Sequence, residues 1–346
     1  MSMPVRATIV GSLPKPSWLA SPGEITTKWQ HEGTALREAQ EDSVRLWIGE
    51  QERAGLDVLT DGEQRRQHYI WGFYQGLGGI DTVNLAMRPQ RAQRYHKEIA
   101  AARLVGGPDW TGPVFLDALR ATLAMTDRPV KVTLPGPMTI VDSIVDTVGG
   151  RTEEQLAMRF AELLNLEARA LAEAGAAVIQ FDEPCFNVYV DKVRDWGVAA
   201  LERAAAGVTA KKAVHICYGY GTADVKRWKS GNTDWSHYNH TLPLLARSSI
   251  DQVSVETAAS GVDVSVIEAI RGKDVLLGVV DVGSEVVETA ETVAERLHAA
   301  LRWCDPGHLH ACTDCGMVPL SRQAAAGKLR ALAGGAALVN RAIGRG

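Results

Sequence analysis

The sequence predicts an α/β fold, a single (β/α)8 TIM barrel with insertions over its C-terminal face, and three observations lead there. Short apolar, β-rich runs alternate with amphipathic helical runs about eight times along the chain, the pattern of βα units on a parallel sheet. A chain of 346 residues with 46% hydrophobic content can bury one large core, and barrels of this length form single units. Polar residues collect at the C-terminal ends of the predicted strands, the face that carries the active site in such barrels.

The first strand, Arg6-Ala7-Thr8-Ile9-Val10, ends at the loop signal Gly11-Ser12-Leu13-Pro14. Leu36, Ala39, Val44, Leu46 and Ile48 give helical spacing from Thr34 to Arg53, and Gly55 is placed to end that helix with a left-handed residue. The second strand, Leu56 to Thr60, leads into Asp61-Gly62-Glu63. Residues 64–126, rich in Arg, Gln, Gly and aromatics, read as an irregular excursion over the barrel mouth with a helix near Phe115 to Met125. Val130 to Leu134 is the third strand, stopped by Pro135-Gly136-Pro137. Thr152-Glu153-Glu154-Gln155 has the form of a capping box for a helix reaching about Ala174. The largely apolar run Ala176 to Phe181 suits a strand buried on both faces and ends at Asp182-Glu183-Pro184. Alternation continues through helix Val198 to Ala206, strand Ala213 to Cys217, an insertion at 218–250 that is a candidate lid, and strand Gln252 to Glu256. Helix Val264 to Arg271, strand Asp274 to Val280, helix Ala290 to Arg302, strand His308 to Cys312 and a closing helix Arg322 to Ala333 complete the barrel over residues 1–346.

A net charge of −4 with scattered lysines and arginines offers no basic field for nucleic acid, so small-molecule chemistry is expected. No charged and apolar leader opens the sequence and no apolar run is long enough to span a bilayer, from which a cytoplasmic protein without a membrane partner is expected. In a reducing compartment Cys185, Cys304 and Cys312 are expected to be free thiols.

In a strand, residues two apart point the same way, so His215 and Cys217 in Ala213-Val214-His215-Ile216-Cys217-Tyr218 can aim a nitrogen and a sulfur at one point. Glu256 and Cys315 sit at or beyond other strand ends, and imidazole, thiolate and carboxylate together suit zinc. Ser12, Asp61, Glu63, Asp182, Glu183 and Asp281 fall on the same face. A single carboxylate there, Asp182 for example, is equally readable as a helix N-cap; the whole ring is not.

These motifs carry a resemblance. Val10-Gly11-Ser12-Leu13-Pro14, Asp61-Gly62-Glu63, Gly136-Pro137-Met138-Thr139-Ile140, Ile179-Gln180-Phe181-Asp182-Glu183-Pro184, His215-Ile216-Cys217-Tyr218, Ser254-Val255-Glu256-Thr257 and Asp314-Cys315-Gly316 resemble, in order and over nearly the full length, the catalytic barrel of the cobalamin-independent methionine synthase family. The resemblance implies zinc held by His215, Cys217, Glu256 and Cys315, and homocysteine held at its amino acid end by Ser12, with Gly11 beside it, and by Glu63 and Asp182. Glu63, Asp182 and Asp281 are the expected catalytic residues. Two-barrel members carry an extra N-terminal barrel, and these 346 residues are expected to form the catalytic barrel alone.

Two departures touch the methyl donor. Where the folate-dependent family has a tryptophan for the pterin this chain has Ser143, and where it has a histidine that protonates the leaving group this chain has Gly283, in Asp281-Val282-Gly283-Ser284. A donor other than polyglutamylated methylfolate is therefore expected: a corrinoid, a simpler methyl compound, or a methyl group delivered by a partner protein. The insertion carries Trp228, Trp235, His237, Tyr238 and His240, candidates for the donor side. Alkyl transfer to or from another thiol of the coenzyme M type, a short conventional folate enzyme, and a structural zinc protein are the other readings.

Overall fold

A computed structural model describes residues 5–94 and 98–344. Positions 95–97 of the 64–126 excursion, and the two ends of the 1–346 span, lie outside the described residues. The organising element is a curled, all-parallel sheet of seven strands: β1 (Arg6–Ala7), β4 (Lys131–Pro135), β6 (Val178–Asp182), β7 (Lys211–Ile216), β8 (Gln252–Glu256), β9 (Asp274–Val280) and β10 (Leu309–Thr313), in the order β1-β10-β9-β8-β7-β6-β4. Their near-continuous apolar sequences follow from burial on both faces: all five residues of β6 and of β8 are buried. Helices on the outside supply the second layer.

The predicted second strand, 56–60, is not a regular strand. It makes one isolated parallel bridge, Leu59 to Val130. Its backbone nevertheless bonds in both directions: Asp57 N donates to Ala7 O (2.9 Å), Leu59 N to Pro129 O (2.9 Å), and Lys131 N to Leu59 O (2.8 Å). The segment therefore lies between the two edges of the curled sheet, β1 and β4. The Asp57 side chain accepts from Ala7 N (2.7 Å), which takes one ladder position from the backbone and accounts for the short pairing.

Caps and helices follow the sequence signals. Thr152 and Gln155 form the reciprocal capping box, with Gln155 N donating to Thr152 Oγ1 (3.2 Å) and Thr152 N to Gln155 Oε1 (2.9 Å), at the start of the helix Glu153–Glu173. The helix Gly33–Ala54 ends at Gly55 with φ 93°, a conformation in which a Cβ is strained. The closing helix, Arg322–Ala342, runs about two and a half turns beyond the predicted end. Val264–Ile270 winds as a 3-10 helix.

The expectation of an irregular 64–126 segment is corrected. β2 (Leu77–Arg88) and β3 (Ile99–Trp110), twelve residues each, form an antiparallel hairpin, and β3 continues in parallel pairing with β5 (Ile144–Asp146). Four glycines, Gly78, Gly79, Gly106 and Gly107, dilute the strand signal. The alternation Val83-x-Leu85-x-Met87 was the available clue. Glu167, buried in the helix Glu153–Glu173, pins the hairpin's return by accepting from Trp110 Nε1 (3.1 Å) and Phe115 N (2.9 Å). At the other end Arg91 forms a buried ion pair with Asp142, and Arg91, Ala92 and Gln93 all hold positive φ.

Candidate active site

The metal-like cluster grows from two strand ends. β7 places His215 within the strand and Cys217 just past it, and Cys315 follows β10 by two residues. The ligand atoms of His215, Cys217 and Cys315 lie within 4.8 Å of one another, and all three residues are buried. The two sulfurs are 3.5 Å apart, close to the ~3.8 Å separation of two sulfurs on one tetrahedral zinc with ~2.3 Å bonds. His215 Nδ1 is bonded to Ser254 Oγ (2.9 Å), while its Nε2 is buried with no partner. An orphaned ring nitrogen facing two thiols is the donor arrangement of a metal site whose histidine is oriented from behind. The Cys217 thiol is held well below its usual range, first by the hydrogen bond from Cys315 and then by His215, against the effect of burial.

Glu256, the expected fourth ligand, stands apart from this group. It is fully buried, accepts from Tyr218 N (2.8 Å), and pairs with Lys229 Nζ at 2.5 Å. Lys229 comes from the helix Ala223–Gly231 within the insertion. Burial works to lower its pKa, but the facing carboxylates of Glu256 and Asp314 raise it well above the lysine range, while burial pushes the Glu256 carboxyl up against the pull of Lys229.

Glu63 and Asp182 converge on the same cavity as the cluster. Glu63 sits at φ 58° directly after Gly62 at φ 65°, a left-handed turn rare for a residue with a side chain and typical of functional positions. Its Oε1 accepts from Thr133 Oγ1 (2.8 Å). Asp182 Oδ1 accepts from Gln180 Nε2 (2.8 Å), and Gln180 accepts in turn from Lys131 Nζ (2.8 Å). Burial pushes the Asp182 carboxyl up to about 7; His215 opposes this and the Glu63 charge adds to it. Ser12 lines the cavity with an unpartnered, buried hydroxyl. Gly11 and Gly316 leave room for it: a Cβ at Gly11 would press on Thr133 and Glu63, and one at Gly316 would collide with Ser12 Oγ.

The cavity has a volume of about 500 Å³, within the range of small-ligand pockets. Asp281 is not among its lining residues. It lies in an adjoining, open depression with Gly283, Lys229 and Trp235 that shares Tyr220 and Val225 with the cavity, and its Oδ1 accepts from Gly283 N (2.6 Å). The insertion at 218–250 is mostly helical, Ala223–Gly231 and His237–Ala246. Its Trp228, Trp235, His237 and Tyr238 pack around Tyr218 and none of them lines the cavity. The insertion reaches the cavity through Gly219, Tyr220, Thr222 and Val225, and the hairpin through Leu85, Ile99 and Ala100. Sequence reading missed the run His68-Tyr69-Ile70-Trp71, all four of which line the cavity; three aromatic rings soon after Asp61-Gly62-Glu63 were its only signal.

The profile of the cobalamin-independent synthase catalytic domain matches residues 5–337. The chain belongs to that family. Methionine synthases of Saccharolobus solfataricus and Sulfurisphaera tokodaii are 29% and 27% identical to it, over 98% and 96% of this chain and 96% and 91% of their own lengths. Among solved structures, a B12-independent methionine synthase from Shewanella sp. W3-18-1, in complex with selenomethionine, is 41% identical with a TM-score of 0.94, covering 99% of this chain and 98% of that one. A methyltransferase from Methanosarcina mazei shares the fold at 17% identity and a TM-score of 0.65. As a cobalamin-independent synthase the chain is a methyltransferase, and the family implies methyl transfer to homocysteine. Among the described residues no helix is long and apolar enough to cross a membrane.

Proposed function

We propose that this chain methylates the thiol of homocysteine to give methionine, inside a (β/α)8 barrel whose eighth strand is the segment 56–60, with zinc held by His215, Cys217 and Cys315 and with Glu256 as a fourth, displaceable ligand. The observation that carries this reading is the meeting, in one cavity, of the His215/Cys217/Cys315 cluster with two buried carboxylates, Glu63 and Asp182. Zinc, when bound, supplies deprotonation of a thiol whose free pKa is ~8.5 and holds the thiolate in place. The protein's own groups do the rest. Glu63 and Asp182 face the substrate ammonium, and its arrival favours the ionised form of Asp182, which burial alone disfavours. Ser12 Oγ is free to donate to the substrate carboxylate. The selenomethionine complex of the Shewanella relative supports an amino acid pocket of this kind. Two acidic groups in the pocket count against an anionic thiol of the coenzyme M type. Ser143 and Gly283, in place of the pterin-stacking and proton-donating residues, support a donor other than polyglutamylated methylfolate.

Incubation of the zinc-loaded chain with homocysteine and a panel of methyl donors, with methionine as readout, tests the reaction. Glu63→Gln and Asp182→Asn should each weaken homocysteine binding by roughly 10- to 150-fold, the loss of one charged hydrogen-bond partner, while zinc content stays at the wild-type level. Unchanged affinity in both variants would place the amino group elsewhere.

A further inference from the structure

The part of the cavity that Glu63 and Asp182 do not explain is walled by four aromatic rings. His68 lies 4.8 Å from Tyr69 and 5.6 Å from Trp71, and Tyr69 lies 6.0 Å from Tyr220, centroid to centroid. The wall is fixed in place. Ile70 N and Trp71 N are 3.2 and 3.5 Å from His68 Nδ1 and donate to it, which leaves the ring proton on Nε2, and the Tyr69 hydroxyl accepts from Arg91 Nη2 (3.0 Å).

The charges around this wall are arranged unevenly. Arg91 is committed to Asp142, and Glu63 has the buried guanidinium of Arg66 3.8 Å away. Asp182 adds a further acid. Among the described residues that line the cavity, Arg91 is the one arginine or lysine and it is taken, so an anionic donor such as a polyglutamate has no free basic partner there, whereas a cation would meet aromatic side chains and the carboxylates of Glu63 and Asp182. Positive charge on aromatic faces is a recurring mode of recognition for methylated onium groups.

Among the described residues this wall holds no group ready to protonate a departing group, and the carboxyls that share its cavity, Glu63 and Asp182, are given to the substrate ammonium in the reading above. Burial, together with Arg91 and Lys15, holds His68 down to about 3, so its ring stays neutral near pH 7. Burial pushes the Tyr69 hydroxyl well above the usual tyrosine range. Asp142 is kept ionised by Arg91 and Tyr189 despite its burial. Residue 283 is glycine and lies outside the cavity. A methyl group carried on a neutral amine needs a proton as that amine leaves. One carried on a sulfonium or a quaternary ammonium does not, because the leaving group departs as a neutral thioether or tertiary amine.

We propose that the His68, Tyr69, Trp71 and Tyr220 wall is the methyl-donor subsite and that the donor is an onium compound, a sulfonium or a quaternary ammonium. The proposal rests on the methyl-transfer reading above. In the step, a lone pair of the homocysteine thiolate forms the new S–CH3 bond, and the old S–CH3 or N–CH3 bond breaks with its pair going to the donor heteroatom. The donor's positive charge is extinguished with the thiolate's negative one. The thiol proton has already gone to solvent, and neither oxidant nor reductant enters.

Calorimetry on the zinc-loaded full chain with homocysteine present should show choline bound about tenfold or more tighter than dimethylbutanol, its neutral isostere with carbon in place of nitrogen. Trp71→Leu and Tyr69→Leu should each reduce that preference by roughly 2- to 30-fold. With deuterated methyl groups, dimethylsulfonioacetate and glycine betaine form the sulfonium and ammonium arms of a turnover assay, and labelled methionine from either arm supports the proposal. Equal binding of choline and its isostere overturns it, as does turnover with methylcobalamin or methyltetrahydrofolate when neither onium arm reacts. Homocysteine bound without any onium preference removes only the donor assignment. Homocysteine left unbound removes the methyl-transfer reading as well.

Discussion

Glu256 holds two positions in tension: it is spaced to join the His215/Cys217/Cys315 cluster, yet in this structure it faces Lys229. Lys229 is 10% exposed and Glu256 not at all, so the pair is largely shielded from solvent screening. A carboxylate held this way is available to a metal only when it leaves the lysine. Lys229→Met should therefore free Glu256 and tighten zinc binding by roughly tenfold, the scale of one lost charged hydrogen bond, as read by competition with a chromophoric chelator. A decrease would mean that Lys229 orients Glu256 toward the cluster instead. Cys315→Ala should lose zinc in the same assay, and Cys312→Ala should keep it, since Cys312 lies within β10 and is outside the cluster. The cluster was legible because His-x-Cys at a strand end has one geometric outcome. Lys229 was not legible, because nothing in Lys-Arg-Trp-Lys-Ser marks which lysine turns inward. The aromatic wall was equally hidden: His68, Tyr69 and Trp71 belong to a bent segment without periodicity, and their neighbours come from elsewhere in the chain.

At the scale of elements, strands buried on both faces were easy to read, while the hairpin of β2 and β3 was hard. One face of the hairpin stays in solvent, with Val83 and Met87 84% and 60% exposed, so its apolar residues do not report a core. It is fastened at its tip as well as its root, and three successive left-handed residues, Arg91 to Gln93, cost on the order of 1–2 kcal/mol each. The buried pair with Asp142 is what holds that conformation. In β10, His310 is 3% exposed and burial holds it down to about 4, with Asp274 opposing. Between pH 6.5 and 4 the unfolded chain therefore binds a proton that the folded chain does not, so stability falls as pH falls through that window. From pH 7 to pH 5 His310 alone accounts for a loss of about 2 kcal/mol. Urea titrations at both values should show this loss in the wild type and not in His310→Gln; equal losses in the two would assign the acid sensitivity to other groups.

For the whole molecule, alternation of strands and helices was enough to give the α/β class and the order of elements, but not how the sheet's edges meet. That depends on Asp57, whose side chain occupies a backbone position, and on Lys131 and Gln180, polar residues inside the curl that bond to Ile9 O and Val10 O. The join between β1 and β4 is consequently the thinnest part of the sheet, held by a few backbone bonds through residues 57–59. Glu63, four residues on, reaches across it to Thr133 on β4. Local openings concentrate where a ladder is thin, so the amides of Asp57, Leu59 and Lys131 should exchange with solvent sooner than those of β6 to β9. A substrate ammonium held by Glu63 stitches both sides of that join, and at a hundredfold excess over its Kd should slow the exchange of these three amides by up to about 100-fold. An unchanged exchange rate would separate ligand capture from the join; a slowed one would make occupancy of the pocket readable from the opposite end of the strands.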